Sequence, residues 1–295
     1  MSLRVACHLF GNYIDTVQPD AKFMKIGINL INEKIDCWFT DPQWNRNCIT
    51  FEKKPDGCLI DYILRFQQSP IDFLLIYGRT SHDEYENDRM LTQFGKVVKT
   101  LAETRALKVG HVYIETVCEE QLLRILPYFD ANHLKGLTIH DPHASKQVIP
   151  LQTLSNLNQW KNCKTISFEL IFVEGSVQNF FHCVDVTVQF QSIRSSDLIQ
   201  IKEHFFKTST VKEFNIGYQK FEDEEQFLQS SEFRRSKREM AKKRWFFPIP
   251  NTNQVLRVLK TENAKTPVYE FERMKKEHVP RYAHIWNGSE EFLSL

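Results

Sequence analysis

The stretch 151-LQTLSNLNQWKNCKTISFEL-170 changes its hydrophobic period within a few residues. Leu151, Leu154, Leu157 and Trp160 recur every third residue, which places them on one stripe of a helix. Ile166, Phe168 and Leu170 alternate with Thr165, Ser167 and Glu169, the pattern of a half-buried strand. The spacing therefore predicts a helix, a turn and a strand, with the stripe and Trp160 in a core. Neither piece buries its apolar face alone, so each needs neighbours of similar shape.

Outward from this stretch, strands and helices alternate. Strand patterns cover Phe73–Tyr77, His111–Glu115, Leu134–Ile139, Asp185–Phe190 and Val211–Tyr218. Helical patterns cover Glu84–Glu103, Glu119–Phe129, Ser195–Lys207 and the run from Asp223 to Arg234. Ser195 or Ser196 with Asp197 forms an N-cap cluster, and Asp223, Glu224 and Glu225 place negative charge in a first helical turn. Strand centres from Val112 onward recur at roughly 20 to 29 residues, a period of strand-helix repeats. A doubly wound sheet would be expected to carry glycine-rich turns and near-continuous apolar strands. The expected fold is thus α/β, a leucine-rich-repeat-like strand-helix solenoid.

Small antiparallel β meanders are expected near both ends. The first comprises Lys25–Ile31, Lys34–Phe39, Cys48–Glu52 and Cys58–Leu64, the last being ambiguous between strand and helix. The second comprises 244-RWFFPIP-250, 254-QVLRVLK-260 and 267-PVYEFERM-274, a cap for an open stack. An amphipathic helix at Leu3–Val17 precedes everything. The domain reading is 1–20 for that helix, 21–70 for the first meander, 71–233 for the repeat region and 234–295 for a basic linker and β cap.

Charge is balanced, Lys+Arg 38 against Asp+Glu 37, so no global field draws the chain to nucleic acid or membrane. Phe 23 and Trp 5 against Gly 10 disfavours glycine-loop nucleotide binders and favours packed repeats or a recognition surface. The 7 cysteines show no C-x-x-C pairing and read as reduced, mostly buried thiols of a cytoplasmic or nuclear protein. No apolar run reaches membrane-spanning length and no secretory h-region is present at the first residues.

Candidate chemistry is sparse. His140-Asp141-Pro142-His143 lacks a third ligand at a recognisable spacing and reads as an exposed loop. His182-Cys183, beside Phe180 and Phe181, would point to opposite faces of a strand, leaving a buried thiol. No phosphate-binding glycine loop, nucleophile elbow or zinc-protease motif occurs, so the expectation is a non-enzymatic protein without metal or cofactor. The run 234-RRSKREMAKKR-244 supplies a basic patch of Arg234, Arg235, Lys237, Arg238, Lys242, Lys243 and Arg244. Its plain reading is a solvated linker or helix face. The competing reading is an RNA- or phosphate-binding patch, or a loop controlled by phosphorylation at Ser236.

These segments carry a resemblance. The Gln159-Trp160-Lys161 turn, Phe181-His182 before a strand, the Ser195-Ser196-Asp197-Leu198 helix start and the pair RWFFPIPNTNQVLRV look like the FTH (FOG-two homology) domain of a nematode-expanded group of F-box proteins. The likeness runs from about residue 120 over the C-terminal half to two-thirds of the chain. The segment LRVACHLFGNYIDTVQPD is similar to the last helix of their F-box, with His8 and Gly11 at its usual basic positions. The resemblance implies a protein-interaction module like the substrate-recognition part of an F-box (SCF-type) ubiquitin-ligase subunit. Leu3, Cys7, Phe10 and Ile14 would then face a Skp-family adaptor, and the shortened box implies weak capture of it. The partner implied is a protein substrate, with neither membrane nor nucleic acid expected.

Overall fold

The computed structural model describes residues 24–31, 34–40, 46–52, 69–77, 92, 95, 96, 99, 106–116, 118–141, 143–145, 147–229, 243–262, 266–280 and 285. Its contacts divide the chain into two compact units, Met1–Leu137 with Leu157–Asn162, and Thr138–Asn156 with Cys163–Leu295. The helix at Leu3–Val17, the strand or helix at Cys58–Leu64 and most of the helix at Glu84–Glu103 lie outside the described residues.

Unit 1 is built on a mixed sheet. β1 (Lys25–Ile31), β2 (Lys34–Thr40) and β3 (Arg46–Glu52) pair antiparallel. β1 also pairs parallel with β4 (Ile71–Tyr77), which pairs parallel with β5 (Val109–Glu115). The lateral order is β5-β4-β1-β2-β3. Alternation decides the faces: Ile26, Ile28, Leu74, Ile76, Val112 and Ile114 are buried, whereas Lys25, Phe73 and His111 are not.

The helix expected over Glu119–Phe129 is α1 (Glu119–Ile125) followed by a 3-10 turn, Leu126–Tyr128. Pro127 has no N–H to continue the α ladder. The chain returns to this unit at α2 (Asn158–Asn162). There Gln159 Nε2 donates to the carbonyls of Pro127 (3.1 Å) and Phe129 (2.8 Å), and Asn162 Nδ2 donates to that of Ala131 (3.1 Å). These amides satisfy loop carbonyls that burial would otherwise leave unpaired. Trp160, 1% exposed, is in the core as its stripe predicted.

Unit 2 is also built on mixed strand pairing. β8 (Thr165–Glu174), β9 (Asp185–Ile193) and β10 (Glu213–Phe221) run parallel, and the short β7 (Val148–Pro150) pairs parallel with β8. β10 then pairs antiparallel with β13 (Pro267–Lys275), which pairs with β12 (Gln254–Glu262), which pairs with β11 (Lys243–Pro248). β6 (Gly136–His140) straddles the division of the chain. Phe168, Phe180 and Phe190 meet edge to face, as do Phe205 and Phe214, and these rings fill the core.

The expected strand-helix solenoid is overturned. A stack of that kind needs parallel strands laid down in sequence order, each with its own helix. Here both units mix parallel and antiparallel pairs, β1 lies between β2 and β4, and β13 rather than β11 follows β10. Among the described residues helices are few and mostly short, and the segment between β8 and β9 holds only a 3-10 turn. The spacing of strands recorded how often the chain crosses a sheet, which is independent of which strand pairs with which. The antiparallel strands near the two ends, β1–β2–β3 and β11–β12–β13, each join their unit's parallel strands edge to edge.

The opening stretch departs in two further ways. Its helix resolves into a 3-10 turn, Leu154–Asn156, and the short α2. Ser155 and Asn156 turn their side chains onto the carbonyl of Gln152, the local competition that shortens helices. Leu170, expected inside, is 47% exposed with φ +62°. Ser167 faces Thr187 and Phe172 faces Gln189, so five steps on β8 (172−167) span two on β9 (189−187), a bulge of three extra residues. The bulge turns Leu170 outward and restores Ile171 and Val173 to the core.

Charged side chains tie α3 (Ser195–Lys207) to its surroundings. The Asp197 carboxylate accepts from Arg194 N (2.8 Å), as a capping residue at the third helical position does. Ser195 caps differently from the expected local cluster: its N–H (2.7 Å) and hydroxyl both donate to Asp223, which precedes α4 (Glu224–Gln229). At the other end, Arg273 donates to the carbonyls of Phe205 and Thr208 (2.5 Å) and of Val211 (2.9 Å), satisfying groups the helix leaves open.

Two outcomes test these assignments. Trp160→Ala should cost about 3–5 kcal/mol in chemical denaturation, the usual loss for a large buried aromatic. A change within error would place Trp160 at the surface. Although burial opposes it, the hydrogen bonds from Ser195 hold the Asp223 carboxyl below its ordinary value. Its contribution is therefore full above the unfolded value of about 3.9 and declines as pH falls through the lower folded value. The urea midpoint of Asp223→Asn should lie below wild type at neutral pH, with the gap closing in acid. An equal gap at every pH would remove the charge from this role.

Candidate functional site

A strand whose inner residues are all apolar leaves its alternate residues to the opposite face. In unit 1 that outer face carries one lateral row, fixed by register: Arg46 opposite Thr40, Thr40 opposite Lys25, Lys25 beside Phe73, and Phe73 beside His111. Arg46 is exposed, Lys25 and His111 are half-buried, and Phe73, at 47%, is one of two large hydrophobics exposed among the described residues. The next row holds Trp38, Gly27, Leu75 and Tyr113.

The rings lie against the sheet and one another. An added Cβ at Gly27 would come within 1.9 Å of Trp38, so only glycine lets this indole lie so close to the backbone. Gly136 has the same relation to the His111 ring. Phe73 stacks on His111 (5.5 Å, 23°), and Tyr77 tilts against Tyr113 (5.3 Å). Lys25 Nζ is 5.3 Å from the Trp38 centroid and 5.8 Å from that of Phe73, and the Arg46 guanidinium is 4.6 Å from Trp38. These are cation-π distances. Burial lowers the pKa of His111, leaving it neutral near pH 7. The fixed charges of the row are therefore Lys25 and Arg46, and neither meets a carboxylate among the described residues. Of the described acids in these strands, Asp72, beside Phe73 in β4, is exposed, and Glu115 of β5 is buried, with the Tyr113 hydroxyl at 3.5 Å.

None of these residues was singled out by sequence. The signal that could have found them lies in 71-IDFLLIY-77, where both alternating sets, Phe73, Leu75, Tyr77 and Leu74, Ile76, are apolar. A strand with two apolar faces in a mixed sheet has one to spare.

The residues that sequence did single out play other parts. Asp141 is fully buried, and its carboxylate accepts from His143 N (2.8 Å), Ser145 N (2.6 Å) and Ser145 Oγ (2.6 Å). It organises a turn and has little capacity left for a metal. No group of three metal-binding side chains occurs among the described residues. His182 and Cys183 lie in a turn rather than on a strand, so they do not point apart: Nε2 and Sγ are 3.5 Å from each other. Burial, then the neighbouring Cys163, pushes the Cys183 thiol far up, which keeps it protonated and a poor nucleophile. Phe181 stacks flat on His204 (4.2 Å, 3°).

Of the basic run, Arg234, Arg235, Lys237, Arg238 and Lys242 lie outside the described residues, as do Leu3, Cys7, Phe10 and Ile14. Lys243 and the half-buried Arg244 begin β11, so the end of the run is sheet, not a solvated helix face. Among the described residues, no helix is long and apolar enough to cross a membrane. Unit 2 presents a contrasting polar row of Asp185, Glu213 and Glu272, the last paired with Arg257 (2.7 Å).

A family model described as the FTH domain matches residues 89–262, more than half of the chain. No curated protein matches the chain, and no solved structure does.

The packing of Trp38 on Gly27 gives a direct check on the face. Gly27→Ala should displace the indole and red-shift tryptophan emission, and the shift should vanish in a Trp38→Phe background. An unchanged spectrum would mean that the indole does not lie on Gly27.

Proposed function

Because the chain belongs to the FTH domain family, we propose that it is a non-enzymatic protein-interaction module, related to the substrate-recognition part of an F-box (SCF-type) ubiquitin-ligase subunit. The observation that carries this reading is the family match over 89–262. The structure adds a physical motive. Charged and polar groups of the kind that serve chemistry, such as Asp141, Asp223 and Arg273, are engaged in holding loops and helix ends. The outer row of unit 1, Arg46, Lys25, Phe73 and His111 with Trp38 beside it, is aromatic and cationic, the composition of protein-recognition surfaces rather than of a catalytic cleft. Adaptor docking through residues 1–20 is a separate property of residues outside those described.

The test is affinity isolation of the tagged chain from cells that express it. Discrete proteins should co-purify through a high-salt wash, with a Skp-family adaptor captured weakly or not at all. Recovery of no protein would overturn the reading. So would recovery of nucleic acid alone, with affinity that falls steeply with salt and collapses on charge reversal of Arg234, Arg235, Lys242 and Lys243.

A further inference from the structure

We propose that the Arg46–Lys25–Phe73 row of unit 1 binds a short acidic peptide segment carrying an aromatic or aliphatic anchor. The inference rests on reading the chain as a protein-interaction module and names the partner chemistry of that module.

Dimension comes first. The row from Arg46 to His111 crosses five adjacent strands, so at roughly 4.8 Å per strand it spans about 19 Å. About six residues of extended chain cover that length. Phe73 offers an exposed ring near one end, and Arg46 an exposed guanidinium at the other.

Charge comes second. Lys25 and Arg46 are held over the Trp38 ring without a carboxylate partner among the described residues. A cation half-shielded by an aromatic ring has lost part of its water already, so a partner carboxylate displaces less solvent to reach it. Arg46 also keeps a planar donor fork suited to a carboxylate.

The state of the rings then separates a peptide from a nucleic acid. Base recognition on a sheet uses free aromatic faces on which bases stack. Here the Trp38 indole is packed on Gly27 and approached by both cations, and Phe73 is stacked on His111. What remains is the exposed part of the Phe73 ring, which suits aliphatic and aromatic side chains. Two fixed cations also make a poor track for a phosphate backbone, which gains affinity from each neutralised charge.

Selection from a random twelve-residue peptide display library on the full chain tests this. Recovered peptides should be enriched in Asp and Glu around one or two aromatic or aliphatic residues. A recovered peptide should lose at least roughly tenfold in affinity on Arg46→Glu or on Asp/Glu replacement by Asn/Gln. Lys207→Glu, an exposed site in unit 2, should leave binding unchanged. Lys25→Gln with Arg46→Gln supplies a milder pair should charge reversal prevent folding, and a Lys-for-Glu peptide should recover binding to Arg46→Glu. Recovery of no peptides, absence of acidic enrichment, or indifference to Arg46→Glu would overturn the proposal. Single-stranded oligonucleotide bound more tightly than peptide and released by Arg46→Glu would overturn it in favour of nucleic acid. Proteins that still co-purify with Arg46→Glu at wild-type levels would remove this site and leave the interaction module standing.

Discussion

The register of β1 against its two neighbours is the constraint on which unit 1 depends. β1 runs antiparallel to β2 and parallel to β4, so one strand fixes the faces of both halves of the sheet. Side chains alternate with a period of two, and a slip of one residue exchanges the faces. Ile26 and Ile28 would then meet water, and Lys25 would enter the core. Each isoleucine contributes about 1.5–3 kcal/mol by burial, and a buried ammonium without a partner costs several more, so the register is strongly specified. That same register sets Lys25 beside Phe73 and places Gly27 beneath Trp38. The outer row is therefore a by-product of core burial, with positions the core determines.

Unit 2 solves a different problem, which is how to fasten a helix to a sheet whose strands change direction. Arg273 sits on β13, antiparallel to β10, and reaches the open carbonyls at the end of α3. Burial lowers its pKa, yet an arginine remains charged and its fork serves several carbonyls at once. Asp223 fastens the other end through Ser195. On the next element Lys260, itself buried, pairs with Glu224 and lies 5.9 Å from the Tyr269 ring. Buried charges of this kind add little when replaced as a pair by apolar groups, but removal of one partner leaves the other stranded. Their value here is positional: they hold α3 and α4 to particular strands.

Much of the local structure was legible in the sequence because alternation is a local property. Alternation places strands at Lys25–Ile31, Asp185–Phe190 and Val211–Tyr218, where the structure has Lys25–Ile31, Asp185–Ile193 and Glu213–Phe221, and the burial of Trp160 and of Cys183 was legible too. Pairing was not legible, since β1 reaches β4 across an intervening hairpin, a long-range choice invisible to periodicity. Leu170 shows the limit most clearly. Its alternation with Ser167 and Glu169 was correct up to Phe168, and the bulge then moved the pattern by an amount no residue announces. A leucine with φ +62° is an unfavourable conformer that the flanking pairs, Ser167 with Thr187 and Phe172 with Gln189, impose. The site was less legible still, because its members lie far apart in sequence and meet only through the register of five strands.

The family match gives the face a further meaning. The matched stretch begins at residue 89, so it contains His111 and Tyr113 of β5, whereas Lys25, Trp38, Arg46 and Phe73 precede it. The surface is therefore assembled at a junction: β5 belongs to the matched scaffold, and the strands that carry the cations and the exposed phenylalanine are laid beside it. Strands added to an existing edge inherit its register, so their outward residues fall at predictable positions whatever their identity. Under that geometry β1–β4 can exchange one set of outward side chains for another without disturbing Val112, Ile114 or the core beneath them. Specificity for a partner would then reside in β1–β4, and stability in β5 and the elements that follow it.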